Sequence, residues 1–133
     1  MPDVETLTPP NTPTPIGPYS HVARVGSWIT IGGTAGVDPA TGELAGDDAA
    51  SQTRQILRNF AVMLEAAGSD LGHVVHVDVY LLDITDFASM NEAYIEAFAA
   101  FGDHRPARTA IGVAALPKAG AVVTMGLTAV VAS

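Results

Sequence analysis

The chain has 133 residues, a formal charge of −8 and a hydrophobic content of 48% against 15% charged residues, the balance of one globular domain (1–133) rather than a disordered segment. The absence of cysteine excludes disulfides, thiolate metal sites and a thiol nucleophile. The six basic residues, Arg24, Arg54, Arg58, Arg105, Arg108 and Lys118, are scattered rather than clustered as a nucleic-acid surface requires, so no nucleic-acid partner is expected.

The opening MPDVETLTPP lacks the basic and apolar regions of a signal peptide, and no apolar run approaches the ~20 residues of a membrane span. A cytoplasmic protein without a membrane partner is therefore expected. Residues 1–18 hold six of the nine prolines, at positions 2, 9, 10, 13, 15 and 18. Such a segment is extended, and it is neither a helix nor a central strand. HVARVGSWITIGG then reads as two strands around the two-residue turn Gly26-Ser27, and GVDPATGELAGD as a turn-rich loop.

Asp47 or Asp48 can cap a helix running to about Ala67, with Ile56, Leu57, Phe60, Met63 and Leu64 at helical spacing and Gly68 as the stop. HVVHVDVYLLD follows as a strand with Val75, Val77, Val79 and Leu81 on one face. Asp86 can cap a second helix, whose apolar stripe is Phe87, Met90, Tyr94, Phe98 and Phe101 before Gly102. Two strands, 108–115 and 121–131, complete the chain around LPKAG.

The order β-β-α-β-α-β-β predicts an α+β fold, a mixed sheet with both helices on one face. Nothing in the chain remains to cover the other face, so a homo-oligomer is expected.

RPAR at 105–108 places Arg108 beside a proline and at a strand end, a rigid place to aim a guanidinium fork at a carboxylate. A salt bridge to one of the fourteen acidic residues is the alternative. Tyr19 can offer a hydroxyl or simply pack, and Asn91 can contact a ligand or bond a loop. Gly32-Gly33 leaves backbone N–H groups unshielded, for a ligand, close packing or a bulge. His73 and His76 lie three apart on the expected strand and point to opposite faces. His21 and His104 have no HxH or HExxH partner. No metal is expected.

PIGPYS (15–20), ATGELAGDDAASQTRQILRNFAVMLEAAG (40–68), VYLLDITDFASMNEAYIEAF (79–98), RPAR (105–108) and ALP (115–117) together resemble the RidA/YjgF family over nearly the whole chain. The resemblance implies a chorismate-mutase-like fold and a homotrimer whose sheets form a central barrel, with ligand clefts between subunits. It implies hydrolysis of reactive enamines and imines, such as 2-aminoacrylate, to 2-keto acids and ammonia, without a cofactor; an aminomuconate is a possible substrate of a divergent member. Arg108 matches the family's carboxylate-binding arginine, while Tyr19 and Asn91 match positions around its ligand. Gly33, Thr34 and Thr109 complete the expected substrate-binding set. Two departures stand out. The family's SGQ reads Gly32-Gly33-Thr34. The family's glutamate, seven residues past the leucine of LP, is counted onto Val123, with Met125 two further on. On that count an apolar wall replaces the acid that activates water, no catalytic residue is assigned, and a non-catalytic carboxylate-binding or protein-protecting member is the alternative.

Overall fold

Gly26, at φ +57°, turns the chain between β2 (Val22–Val25) and β3 (Trp28–Ala35), with Val25 opposite Trp28. The hairpin is thus the one expected from Gly26-Ser27, because only a residue at ease with positive φ closes a two-residue loop cheaply. This computed structural model describes residues 3–133.

The remaining elements are β1 (Glu5–Leu7), the ribbon strands β4 (Val37–Asp38) and β5 (Glu43–Leu44), α1 (Ala49–Ala66), β6 (Val74–Leu81), α2 (Phe87–Phe98), β7 (Ala107–Gly112) and β8 (Val123–Val130). The main sheet runs β1-β2-β3-β8-β6-β7. Every neighbour is antiparallel except β6 and β7, which α2 joins as a crossover, the connection that parallel strands need.

Asp48 caps α1 by accepting from the Ser51 N–H at 3.0 Å, and Gly68 ends it at φ +84°. Both helices contribute to one core. Ile56, Phe60 and Leu64 of α1 and Met90 and Phe98 of α2 pack on Ile29, Ile31, Val77, Val79, Met125 and Leu127 of the sheet. The α+β arrangement with a mixed sheet is as expected. The opposite face carries the alternate residues, among them Trp28, Thr30, His76, Asp78 and Tyr80, and Trp28 is 53% exposed.

Several expectations are corrected. The expected strand order lacked β1, an edge strand paired with β2; it agrees with the extended, non-central reading of the Pro-rich segment, and it precedes Pro9-Pro10, so no proline interrupts its ladder. The turn-rich loop closes on itself as the β4–β5 ribbon. On β6 the register slips between Val74 and His76. This bulge turns Val74 into the core and leaves Val75 42% exposed. His73 lies in a 3-10 turn, Leu71–His73, not on the strand. Asp86 sits at the start of α2 without a side-chain capping bond, while Asp83 caps the 3-10 turn before it. Phe87 and Phe101 are surface residues rather than core.

Candidate functional site

A second bulge shapes the site. Between Ile31 and Thr34 the ladder of β3 against β8 slips, so Gly32 and Gly33 leave the regular pleat. A Cβ at either glycine would meet nothing within 4 Å, so packing does not demand glycine there. The space is instead part of a cavity of about 400 Å³ lined by Tyr19, His21, Gly33, Thr34, Tyr80, Lys118 and Thr124, among others. Thr34 is buried and donates its hydroxyl proton to the Gly32 carbonyl at 2.9 Å. Tyr19 accepts the Ile16 N–H on its phenol oxygen at 3.1 Å, so its own proton remains free for a ligand. The structure therefore brings three of the six expected residues together: Tyr19, Gly33 and Thr34.

Arg108 lies elsewhere. Its Cα partner on β6 is Val77, so its side chain stands on the helix face of the sheet, against α2. The guanidinium carbon is 4.8 Å from the Tyr94 ring centre and 5.4 Å from that of Phe87, and Nη1 approaches the Met90 sulfur at 3.8 Å. Ion pairs among the described residues join Arg54 to Glu96, His73 to Asp70 and His76 to Asp78; none involves Arg108. Aromatic faces hold a cation while leaving its N–H fork unsatisfied. Beside it Tyr94 is buried, its hydroxyl lacks a partner, and burial pushes that phenol up to about 12 against the pull of Arg108 and Arg105. Asn91, three residues earlier on the same helix face, also has its buried Oδ1 unpaired. Buried polar atoms without partners are uncommon in folded chains.

Thr109 is on the other face of β7 from Arg108, within 3.1 Å of His76 Nε2. The expected set thus falls into a cavity half, an arginine half and Thr109. Within one chain Arg108 does not line the cavity.

The apolar wall is a correction. Val123 and Met125 are fully buried in the core under the helices, where alternation points them away from the cavity. Thr124 between them faces it. Counting residues from Leu116 cannot say which face a strand begins on, and it is Thr124, not Val123, that the strand turns towards the cavity. Among the described residues no Asp or Glu lines the cavity.

Gln52, which sequence reading missed, does not line the cavity but braces the turn beside it. Fully buried, its amide donates to the carbonyls of Gly46 at 2.9 Å and Gly120 at 3.1 Å and accepts from the Val122 N–H at 2.9 Å. It thereby fixes the turn that presents Pro117 and Lys118. A polar residue in the apolar stripe of α1 was the available signal. The aromatic shelf under Arg108 had a weaker one, Phe87 and Tyr94 seven apart on one helix face.

Each histidine ring has a protein partner: Pro13 for His21, Asp70 for His73, Asp78 and Thr109 for His76, and Val74 for His104. Among the described residues no cluster could hold a metal ion, and no helix is long and apolar enough to cross a membrane.

The family model described as Endoribonuclease L-PSP matches residues 9–131. A RutC family protein of Pyrococcus horikoshii is 47% identical over 114 residues, 86% of this chain and 88% of that protein. The 2-iminobutanoate/2-iminopropanoate deaminase of Bos taurus is 44% identical over 83% of this chain and 78% of its own. Among solved structures, TdcF from E. coli with bound serine superposes with a TM-score of 0.89 at 31% identity, covering 96% of this chain and 99% of that one. Sequence and backbone agree over almost the full length: this chain belongs to the RidA/YjgF family of the Endoribonuclease L-PSP model.

Proposed function

We propose that the protein hydrolyses reactive enamine and imine intermediates of amino acids to 2-keto acids and ammonia. The observation that carries this reading is Arg108, a half-buried guanidinium stacked on two rings with no acidic partner among the described residues. Such a group binds a carboxylate through two parallel hydrogen bonds. The site is composed between subunits of a homotrimer with its sheets around a central barrel. Arg108 and Asn91 of one protomer face the Tyr19, Gly33 and Thr34 cavity of the next. The separation of the two halves within one chain and the exposed sheet face carrying Trp28 support that assembly.

An enamine such as 2-aminoacrylate tautomerises to the 2-imino acid, whose protonated C=N carbon is electrophilic. Water adds there, one of its protons passes to nitrogen, and the C–N bond breaks as the hydroxyl gives up its remaining proton to the departing ammonia, leaving the keto acid and an ammonium ion. Arg108 fixes the carboxylate beside the reacting carbon, and orientation of this kind can contribute several kcal/mol. The Thr124 hydroxyl holds and orients the water and the Tyr19 hydroxyl binds the substrate, since among the described residues no carboxylate lines the cavity to take the water's proton. The deaminase name of the cattle relative and the serine held by TdcF fit a small amino-acid-derived carboxylate. The cavity volume admits longer chains, including an unsaturated acid of the aminomuconate type.

The test is ammonia release from 2-iminobutanoate generated in solution. The protein is expected to accelerate it and Arg108→Ala to abolish the acceleration; a rate equal to buffer overturns the reading. One observation favours a second reading, carboxylate binding without turnover: the lack of Asp or Glu in the cavity lining. Saturable keto-acid binding by a protein that releases no ammonia would establish it.

A further inference from the structure

We propose that His21 is the positioning residue that latches the Pro-rich segment 13–20 shut, as the wall of the cavity that carries Tyr19. The inference rests on the proposed function only for what the wall faces. His21 is 5% exposed, and its Nε2 bonds the Pro13 carbonyl. A carbonyl only accepts, so that nitrogen carries a proton and is no base while the latch is closed. The imidazole also meets the Tyr19 ring edge-on, with centroids 6.0 Å apart at 71°. The backbone oxygen of His21 accepts the Gly32 N–H at 3.1 Å. One residue therefore ties the segment to the glycine bulge across the cavity.

Apart from the buried Pro13 ring, the segment has little else to hold it. Prolines 9, 10, 13, 15 and 18 have no N–H to donate. Its other hydrogen bonds are internal: Thr12 hydroxyl to the Pro9 carbonyl at 2.5 Å, Ile16 N–H to the Tyr19 oxygen, and Tyr19 N–H to the Gly17 carbonyl at 2.9 Å. Among the described residues the His21 ring is the one polar tie from residues 8–20 to the rest of the molecule. Ile16 and Tyr19, both lining the cavity, are 59% and 42% exposed; packing alone fixes them weakly. Loss of the latch lets Tyr19 leave the cavity, which weakens binding but leaves the chemistry at a filled site intact.

The experiment compares the wild type with His21→Ala and His21→Gln by hydrogen exchange at the Ile16 and Tyr19 amides, the two in the segment that are hydrogen-bonded, and by 2-iminobutanoate kinetics. Glutamine keeps a donor at similar reach. In His21→Ala these amides are expected to exchange about tenfold faster, with β6 and β8 unchanged, and His21→Gln to restore protection. KM is expected to rise about tenfold while kcat stays within about threefold. If His21→Ala does not fold, His21→Phe keeps the ring volume without the donor and gives the same comparison. Unchanged exchange in the segment overturns the latch. Loss of kcat at unchanged KM, not rescued by Gln, overturns it in favour of a catalytic His21. Exchange needs no turnover, so a wild type that releases no ammonia defeats the proposed function and leaves the latch separately decided.

Discussion

The Arg108 guanidinium lies over the Tyr94 ring at 4.8 Å, on a shelf that Phe87 extends. This stack explains how a cation stays ordered without a counter-ion: the ring quadrupole attracts it and the flat contact sets the plane of its N–H fork. Since no ion pair is lost, Arg108→Ala is expected to lower kcat/KM about a hundredfold or more with little change in melting temperature. Arg108→Lys keeps charge but loses the fork, and falls between. Steady-state ammonia release paired with thermal unfolding checks both; a large loss of stability would reveal a structural arginine.

Tyr94 allows a test by pH. Its phenol is pushed up to about 12 by burial, against an ordinary 10.0. The folded pKa is raised, so the associated stability is fully present below pH 10 and is lost as pH climbs towards 12. Tyr94→Phe keeps the aromatic shelf and removes a hydroxyl that has no partner. It is expected to be as stable as the parent or about 1 kcal/mol more so at neutral pH, and to lack the extra alkaline loss. Denaturant melts at pH 8 and pH 11 would show the difference; identical alkaline losses in both proteins would contradict it.

Two glycines of one strand region separate ligand space from packing. A Cβ at Gly33 meets nothing, whereas at Gly36 it would sit 2.7 Å from the Gln52 Cα. Gly33→Leu is therefore expected to preserve the melting temperature but raise KM by crowding the cavity. Gly36→Ala is expected to cost about 1–3 kcal/mol of stability. Equal losses of stability would show that the bulge is tightly packed after all.

Gln52 makes three hydrogen bonds at zero exposure. Gln52→Leu strands the part-buried Gly46 carbonyl and Val122 N–H, each costing about 1–3 kcal/mol where water cannot replace the amide, while the exposed Gly120 carbonyl turns to water. A clear fall in stability is expected, with faster exchange at Val122. Wild-type protection at that amide would mean the turn holds itself.

The contrast between Val123 and Thr124 tests the cavity face. Val123→Glu buries a carboxylate in the core and is expected to destabilise by about 3 kcal/mol or more. Thr124→Glu places the acid in the cavity and is expected to fold and to increase the rate of a water-limited hydrolysis. Comparable folding of Val123→Glu would return the cavity face to Val123.

These same residues mark where sequence reading succeeds. Asp48 acts through a side-chain bond three residues on and Gly26 and Gly68 through their own backbone, all of them local, so the α1 boundaries and the β2–β3 hairpin were legible. Val75 and Val123 were misplaced because a bulge or a strand start shifts alternation by one residue, and nothing local reports it. Tyr19, Gly33 and Thr34 line one cavity, but pattern alone could not show that Arg108 stands on another face from it. The Arg108 shelf, the Gln52 bonds and the His21 latch each join segments far apart in the chain or hidden by proline, where periodicity carries no signal.

A crystal structure of the protein soaked with 2-oxobutanoate tests the central claim most directly. The expected density shows the carboxylate held by two bonds from Arg108 of one subunit, with the remaining atoms beside Tyr19, Thr34 and Thr124 of its neighbour. An Arg108 engaged instead by an aspartate or glutamate of that neighbour, with the keto acid elsewhere or absent, would contradict the account.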